Sequence, residues 1–137
     1  MTSETGRKPK ILVIDDNQTV LFVTREILEE AGFEVVTADR AIGASAIVIR
    51  EKPDLVLMDL EMPLRGSAIV TIMRSHSMLE NTKVLLYSSR PLEELRTASE
   101  QCKADGYVEK SSSPETLIAE IRAHLDRVPV WTEPPSD

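Results

Sequence analysis

The stretch LVLMDLEMP, residues 55–63, decides how this chain folds. Leu55 to Met58 make a continuous apolar run of strand length, and Asp59 closes it. A strand that is apolar on both faces is covered on both sides, as strands of parallel sheets are. An ionised carboxylate at the end of such a run is costly unless something pairs with it. The reading therefore turns on what sits opposite Asp59.

Working outward, the same kind of run recurs. KILVID (10–15) and KVLLYS (83–88) are apolar and strand-length, and EVVTA (34–38) and YVEK (107–110) are shorter strands. Helical spacing fills the intervals. Val20, Val23, Ile27, Leu28 and Ala31 share one face from Gln18 to Ala31, with Gly32 as the stop. Asp39 is predicted to cap a helix that runs to about Glu51 and ends at KPD (52–54). Further helices are expected over 67–75 and 92–102, the second stopping near Gly106. Pro114 suits the first turn of a last helix that ends near Leu125. Five strands alternating with five helices predict an α/β fold with a doubly wound, five-stranded parallel sheet.

At 137 residues the chain is one domain, with 42% hydrophobic and 28% charged residues. Residues 1–8 are expected to be flexible, 9–126 to form the domain, and the proline-rich 127–137 to be a disordered tail. The net charge of −7 argues against nucleic acid and against anionic membrane surfaces as partners. One cysteine, Cys102, makes no internal disulfide and no zinc cluster, and it reads as a small apolar helix residue. With neither a secretory leader nor a membrane-length apolar run, the expectation is a cytoplasmic protein.

In a parallel sheet all carboxyl ends lie along one edge, where such folds bind ligands. Those ends carry Asp15-Asp16, Asp59, Ser88-Ser89 and Lys110. Like-charged carboxylates about 4 Å apart repel by on the order of 4 kcal/mol at an effective dielectric of 20. A hard divalent cation resolves the repulsion, and Mg²⁺ prefers such oxygen ligands together with a substrate phosphate. Asp59 then reads as a nucleophile towards phosphorus, with Ser88 and Lys110 as donors to the remaining phosphoryl oxygens. Taken singly, each residue has a blander reading: a turn or cap for the acidic pair, a solvated lysine, a serine bonded back to its own chain. Their coincidence at matching strand ends carries the argument.

Asp15-Asp16, the Asp59-x-x-Met62-Pro63 stretch, Ser88 and Lys110, in this order, resemble the CheY-like receiver domain of bacterial two-component response regulators. The resemblance spans residues 9–126 and implies a flavodoxin-like sheet in the order 2-1-3-4-5. It implies that Asp59 accepts a phosphoryl group from the phosphohistidine of a histidine kinase or a histidine phosphotransfer protein. It implies Mg²⁺ (or Mn²⁺) bound by Asp16 and Asp59, by Asp15 through water, and by the backbone carbonyl of Glu61. Ser88 would swing towards the phosphoryl group, Lys110 would pair with it, and Tyr107 would be the switching aromatic. A downstream protein would bind about residues 91–125, and autodephosphorylation is expected in place of conventional enzyme activity. Only 127–137 follow the last helix, so the expectation is a stand-alone receiver that acts by binding a partner protein or, in a phosphorelay, passes phosphate to a histidine phosphotransfer protein.

Three departures from the family pattern stand out. MPLRG (62–66) is one residue short between proline and glycine, Ser111 replaces the usual proline after Lys110, and Ser89 replaces alanine. A cis peptide before a non-proline residue costs about 3–4 kcal/mol, which favours trans at Lys110–Ser111. Glu61 and Arg90 are read as modulators that pair across the mouth of the site. The rival reading is a pseudo-receiver, a docking module without phosphorylation. A flavodoxin-type cofactor binder fits poorly, because DDNQ (15–18) puts negative charge where a phosphate cradle belongs. An aspartyl phosphatase would use Glu61, but Met62-Pro63 and Asp15-Asp16 suit the receiver better. His76 and His124 read as surface residues, and Trp131 as part of the tail.

Overall fold

The computed structural model describes residues 8–40, 43–59, 82–102 and 104–126. In chain order the described elements are β1 (Lys10–Ile14), α1 (Gln18–Glu30), β2 (Glu34–Ala38), α2 (Ala44–Glu51) and β3 (Leu55–Asp59). They continue with β4 (Lys83–Ser88), α3 (Leu92–Cys102), β5 (Gly106–Glu109) and α4 (Pro114–Asp126). The strands pair in parallel in the order β2-β1-β3-β4-β5, as the resemblance implied. The helix expected over 67–75, Glu61, the MPLRG stretch, His76 and the tail with Trp131 lie outside the described residues.

Strand alternation divides the interior into two layers. Leu12, Ile14, Val56, Met58, Val84 and Leu86 face α2 and α3. Ile11, Val13, Leu55, Leu57, Leu85 and Tyr87 face α1 and α4. This explains why the runs of β1, β3 and β4 are apolar throughout, for neither side meets water. The edge strands β2 and β5 are only partly buried, and their sequences are correspondingly mixed.

Local chemistry sets the helix ends. Asn17 caps α1, its side-chain oxygen accepting the Val20 N–H at 3.0 Å. At the far end Gly32 turns the chain at φ +101°, so that the Gly32 and Phe33 amides reach back to the carbonyls of Glu29 and Leu28. Ser113 caps α4 by accepting the Thr116 N–H at 3.1 Å.

Three expectations are corrected. Asp39 does not cap α2. The helix begins at Ala44 behind Gly43, whose φ of +86° lies in the left-handed region, while Asp39 accepts a bond from the Gln18 side chain at 3.1 Å. Strand β5 begins one residue earlier than read, which leaves Lys110 in the turn just beyond it. His124 is not a surface residue. It is 7% exposed, and its ring nitrogens lie 2.9 Å from the Glu120 carbonyl oxygen and 3.2 Å from that of Asp105.

The amino-terminal edge of the sheet is fastened by carboxylates. Asp54 accepts the Lys10 N–H at 2.7 Å, and Asp105 accepts the Val84 N–H at 2.7 Å. Beside the second of these, Gly106 leaves room for His124. A Cβ there would lie 2.8 Å from the imidazole Nε2 and 3.1 Å from Leu85. The ring is held by its two carbonyl contacts and cannot easily retreat. Gly106→Ala should therefore cost about 1–3 kcal/mol of stability. Urea unfolding of the purified variant checks this, and an unchanged midpoint would show that the ring moves freely.

Candidate functional site

The carboxyl ends of the central strands meet at one edge. Asp15 directly follows β1, and Ile14 pairs with Met58, which sets Asp15 beside Asp59 at the end of β3. Asp59 is in register with Tyr87, so Ser88 is the next residue outward on β4. Lys110 follows β5, and its amide donates to the Ser88 carbonyl at 2.8 Å. The Lys110–Ser111 peptide is trans, since no described peptide bond is cis.

This places three carboxylates together. One oxygen each from Asp15, Asp16 and Asp59 lies within 4.8 Å of the others. Asp15 and Asp59 are 1% and 3% exposed, whereas Asp16 faces solvent. One Asp15 oxygen accepts the Asn17 N–H at 2.9 Å. The other is buried with the Lys110 ammonium 2.7 Å away, a charge-assisted contact. That ammonium is also 3.5 Å from Asp59 Oδ1. Lys110 thus stands nearer to Asp15 than to the residue that the sequence set opposite it.

Burial works against the Lys110 ammonium. The contact with Asp15 and the field of Asp59 outweigh burial and hold its pKa above the ordinary lysine value of 10.5. Three carboxylates and one ammonium still leave a formal charge of −2. All the donors are hard oxygens, and two of the three carboxylates are almost fully buried. This donor set fits a divalent cation such as Mg²⁺.

Ser88 is fully buried, and its hydroxyl oxygen accepts the Arg90 N–H at 3.1 Å. The hydroxyl keeps its own proton to donate. Arg90 lies 3.6 Å from Glu94, both side chains about half exposed. Tyr107 is partly buried on β5 against the α2–α3 layer. The sequence reading passed over Tyr87, the single aromatic in the run of β4. Its ring centroid lies 5.8 Å from the Lys110 ammonium.

The comparisons with known proteins agree with this geometry. The response regulator receiver domain model matches residues 11–122, and the chain belongs to that family, the receiver domain of two-component response regulators. The transcriptional regulatory protein PrrA of Mycobacterium tuberculosis is 33% identical over 126 residues, covering 90% of this chain and 53% of its own length. The chain thus spans about half the length of the curated relatives it matches first. Among solved structures, the chemotaxis response regulator CheY4 of Vibrio cholerae superposes with a TM-score of 0.79 at 26% identity. That match covers 85% of this chain and 98% of CheY4. The receiver domain of sensor histidine kinase PA1611 from Pseudomonas aeruginosa PAO1, with magnesium coordinated in its active-site cleft, shares the fold. Its TM-score is 0.80 at 20% identity, over 88% of this chain and all of that one. No helix among the described residues is long and apolar enough to cross a membrane.

The raised Lys110 pKa fixes a pH dependence. Its pairing contributes stability that is fully present below the unfolded value of 10.5 and is lost as pH rises through the higher folded value. In metal-free protein the stability difference between wild type and Lys110→Met should hold steady below that range and shift towards the mutant above it. Denaturant unfolding at stepped pH checks this, and a difference that never changes would show that the ion pair contributes nothing.

Proposed function

We propose that the chain is a phosphoacceptor. In this reading Asp59 takes a phosphoryl group from the phosphohistidine of a histidine kinase or a histidine phosphotransfer protein, in the cytoplasm. The observation that carries it is the buried Asp59 carboxylate, with an ammonium 3.5 Å away and two further carboxylates within 4.8 Å. The domain that does this runs over residues 9–126.

A carboxylate oxygen of Asp59 forms the new bond to phosphorus, and the phosphorus–nitrogen bond breaks with its electron pair going to the imidazole. Asp15, Asp16 and Asp59 would hold Mg²⁺ or Mn²⁺, with the Glu61 carbonyl as a further ligand. Such a cation supplies charge neutralisation for the incoming phosphoryl oxygens. Lys110 turns its ammonium from Asp15 to those oxygens, and Ser88 donates its hydroxyl proton to them.

The phosphoryl group brings about two negative charges to a buried edge. Ser88 and Lys110 are joined by a backbone hydrogen bond, so moving either one moves the start of the α3 and α4 loops. Tyr107, on the strand between them, transmits the change to a partner-binding face over about residues 91–125. Arg90 and Glu61 are assigned the tuning of hydrolysis, and equal phospho-protein lifetimes in wild type and Arg90→Ala would remove that role.

Intact-mass measurement after incubation with acetyl phosphate tests the main reading. One Mg²⁺-dependent phosphoryl adduct is expected in wild type and none in Asp59→Asn. A folded protein that takes neither phosphoryl from several donors nor beryllofluoride would instead be a docking module that keeps the fold without the chemistry.

A further inference from the structure

We propose that Tyr87 is a positioning residue that holds the Lys110 ammonium over the carboxylates. The proposal rests on the phosphoacceptor reading for its consequence, although not for the contact itself.

Lys110 carries a long, flexible side chain from a turn, and holding such a side chain in a single place costs rotamer freedom. The Lys110 amide is fixed to Ser88 and the Ser112 amide to Glu109, but these bonds anchor only the backbone. The ammonium lies 5.8 Å from the Tyr87 ring centroid, inside the range in which a cation is drawn to an aromatic ring.

The ring is itself immobilised. Tyr87 is 9% exposed within the layer facing α1 and α4, and its hydroxyl hydrogen-bonds with the side chain of Thr24, a residue 2% exposed on α1. Its backbone is paired in register with Asp59, so ring and phosphoacceptor are tied to the same rung of the sheet. Burial pushes the phenol pKa up, so the ring stays neutral beside the carboxylates. The ammonium is thus bounded by Asp15 at 2.7 Å, Asp59 at 3.5 Å and the Tyr87 ring. An aliphatic residue at position 87 would keep the layer apolar but would leave the third side without attraction. Ser111, in place of a ring-locked residue, gives the loop no stiffness of its own.

The test has two independent arms. In wild type the Lys110 side-chain methylene protons should be shifted upfield by the ring current. The shift should persist in Tyr87→Phe and vanish in Tyr87→Leu. Methylene resonances at ordinary lysine positions in wild type would overturn the contact, whether or not the protein accepts phosphate. In the second arm, phosphorylation by acetyl phosphate should slow about fivefold in Tyr87→Leu and recover in Tyr87→Phe. Adding Tyr87→Leu to Lys110→Met should slow it no further. Independent losses in the double variant would assign Tyr87 a packing role only. Absence of an adduct from several donors and of beryllofluoride binding in wild type, with the upfield shift present, would defeat the phosphoacceptor reading and leave the contact standing.

Discussion

Parallel pairing is the constraint from which the rest of this molecule follows. Each strand ends at the same edge, so residues far apart in the chain are forced together there without any local sequence relation. Asp15, Asp59, Ser88 and Lys110 meet because β1, β3, β4 and β5 are neighbours in the sheet. The apolar layers on both faces supply the stability that keeps like charges in contact. Carboxylate oxygens within 4.8 Å of one another repel by at least about 3 kcal/mol per pair at an effective dielectric of 20, and one ammonium offsets only part of that. The edge is therefore poised to accept positive charge.

Much of this was legible because it depends on burial alone. Ile11–Ile14, Leu55–Met58 and Val84–Leu86 are apolar without interruption and fully buried, the pattern of strands covered on both faces. Once those strands are placed, the acids and the lysine at their ends follow. What could not be read is what depends on exact approach. Spacing could not show that Lys110 lies closer to Asp15 than to Asp59, nor that an aromatic ring approaches the same ammonium.

The misreadings have physical causes. Asp39 has the chemistry of a helix cap, but the chain reaches α2 through Gly43 in the left-handed region, and the carboxylate finds Gln18 instead. His124, a polar residue near the end of its helix, reads as a surface position. Leu117, Ile121 and His124 nonetheless fall at i, i+4 and i+7, the stripe by which α4 is buried. That signal was present in the sequence. Tyr87 was read only as one more buried position, since its significance depends on where a residue on another strand comes to lie.

The two edges of the sheet differ in how their polar side chains are tied. At the amino edge Asp54 and Asp105 bridge segments 44 and 21 residues apart through directed bonds to backbone amides. At the carboxyl edge the Asp15 and Ser88 side chains each bond an amide two residues on, so each loop is tied to itself. Contact between loops there runs through the Lys110 amide to the Ser88 carbonyl, the Gln18 side chain to Asp39, and the Lys110 ammonium to Asp15 and Asp59. The amino edge is thus knit by carboxylates bonded to distant amides, while the acidic carboxyl edge depends on one ammonium shared between two carboxylates. A new anion at that edge would compete for the shared ammonium before it met any of the bonds that set the strand register.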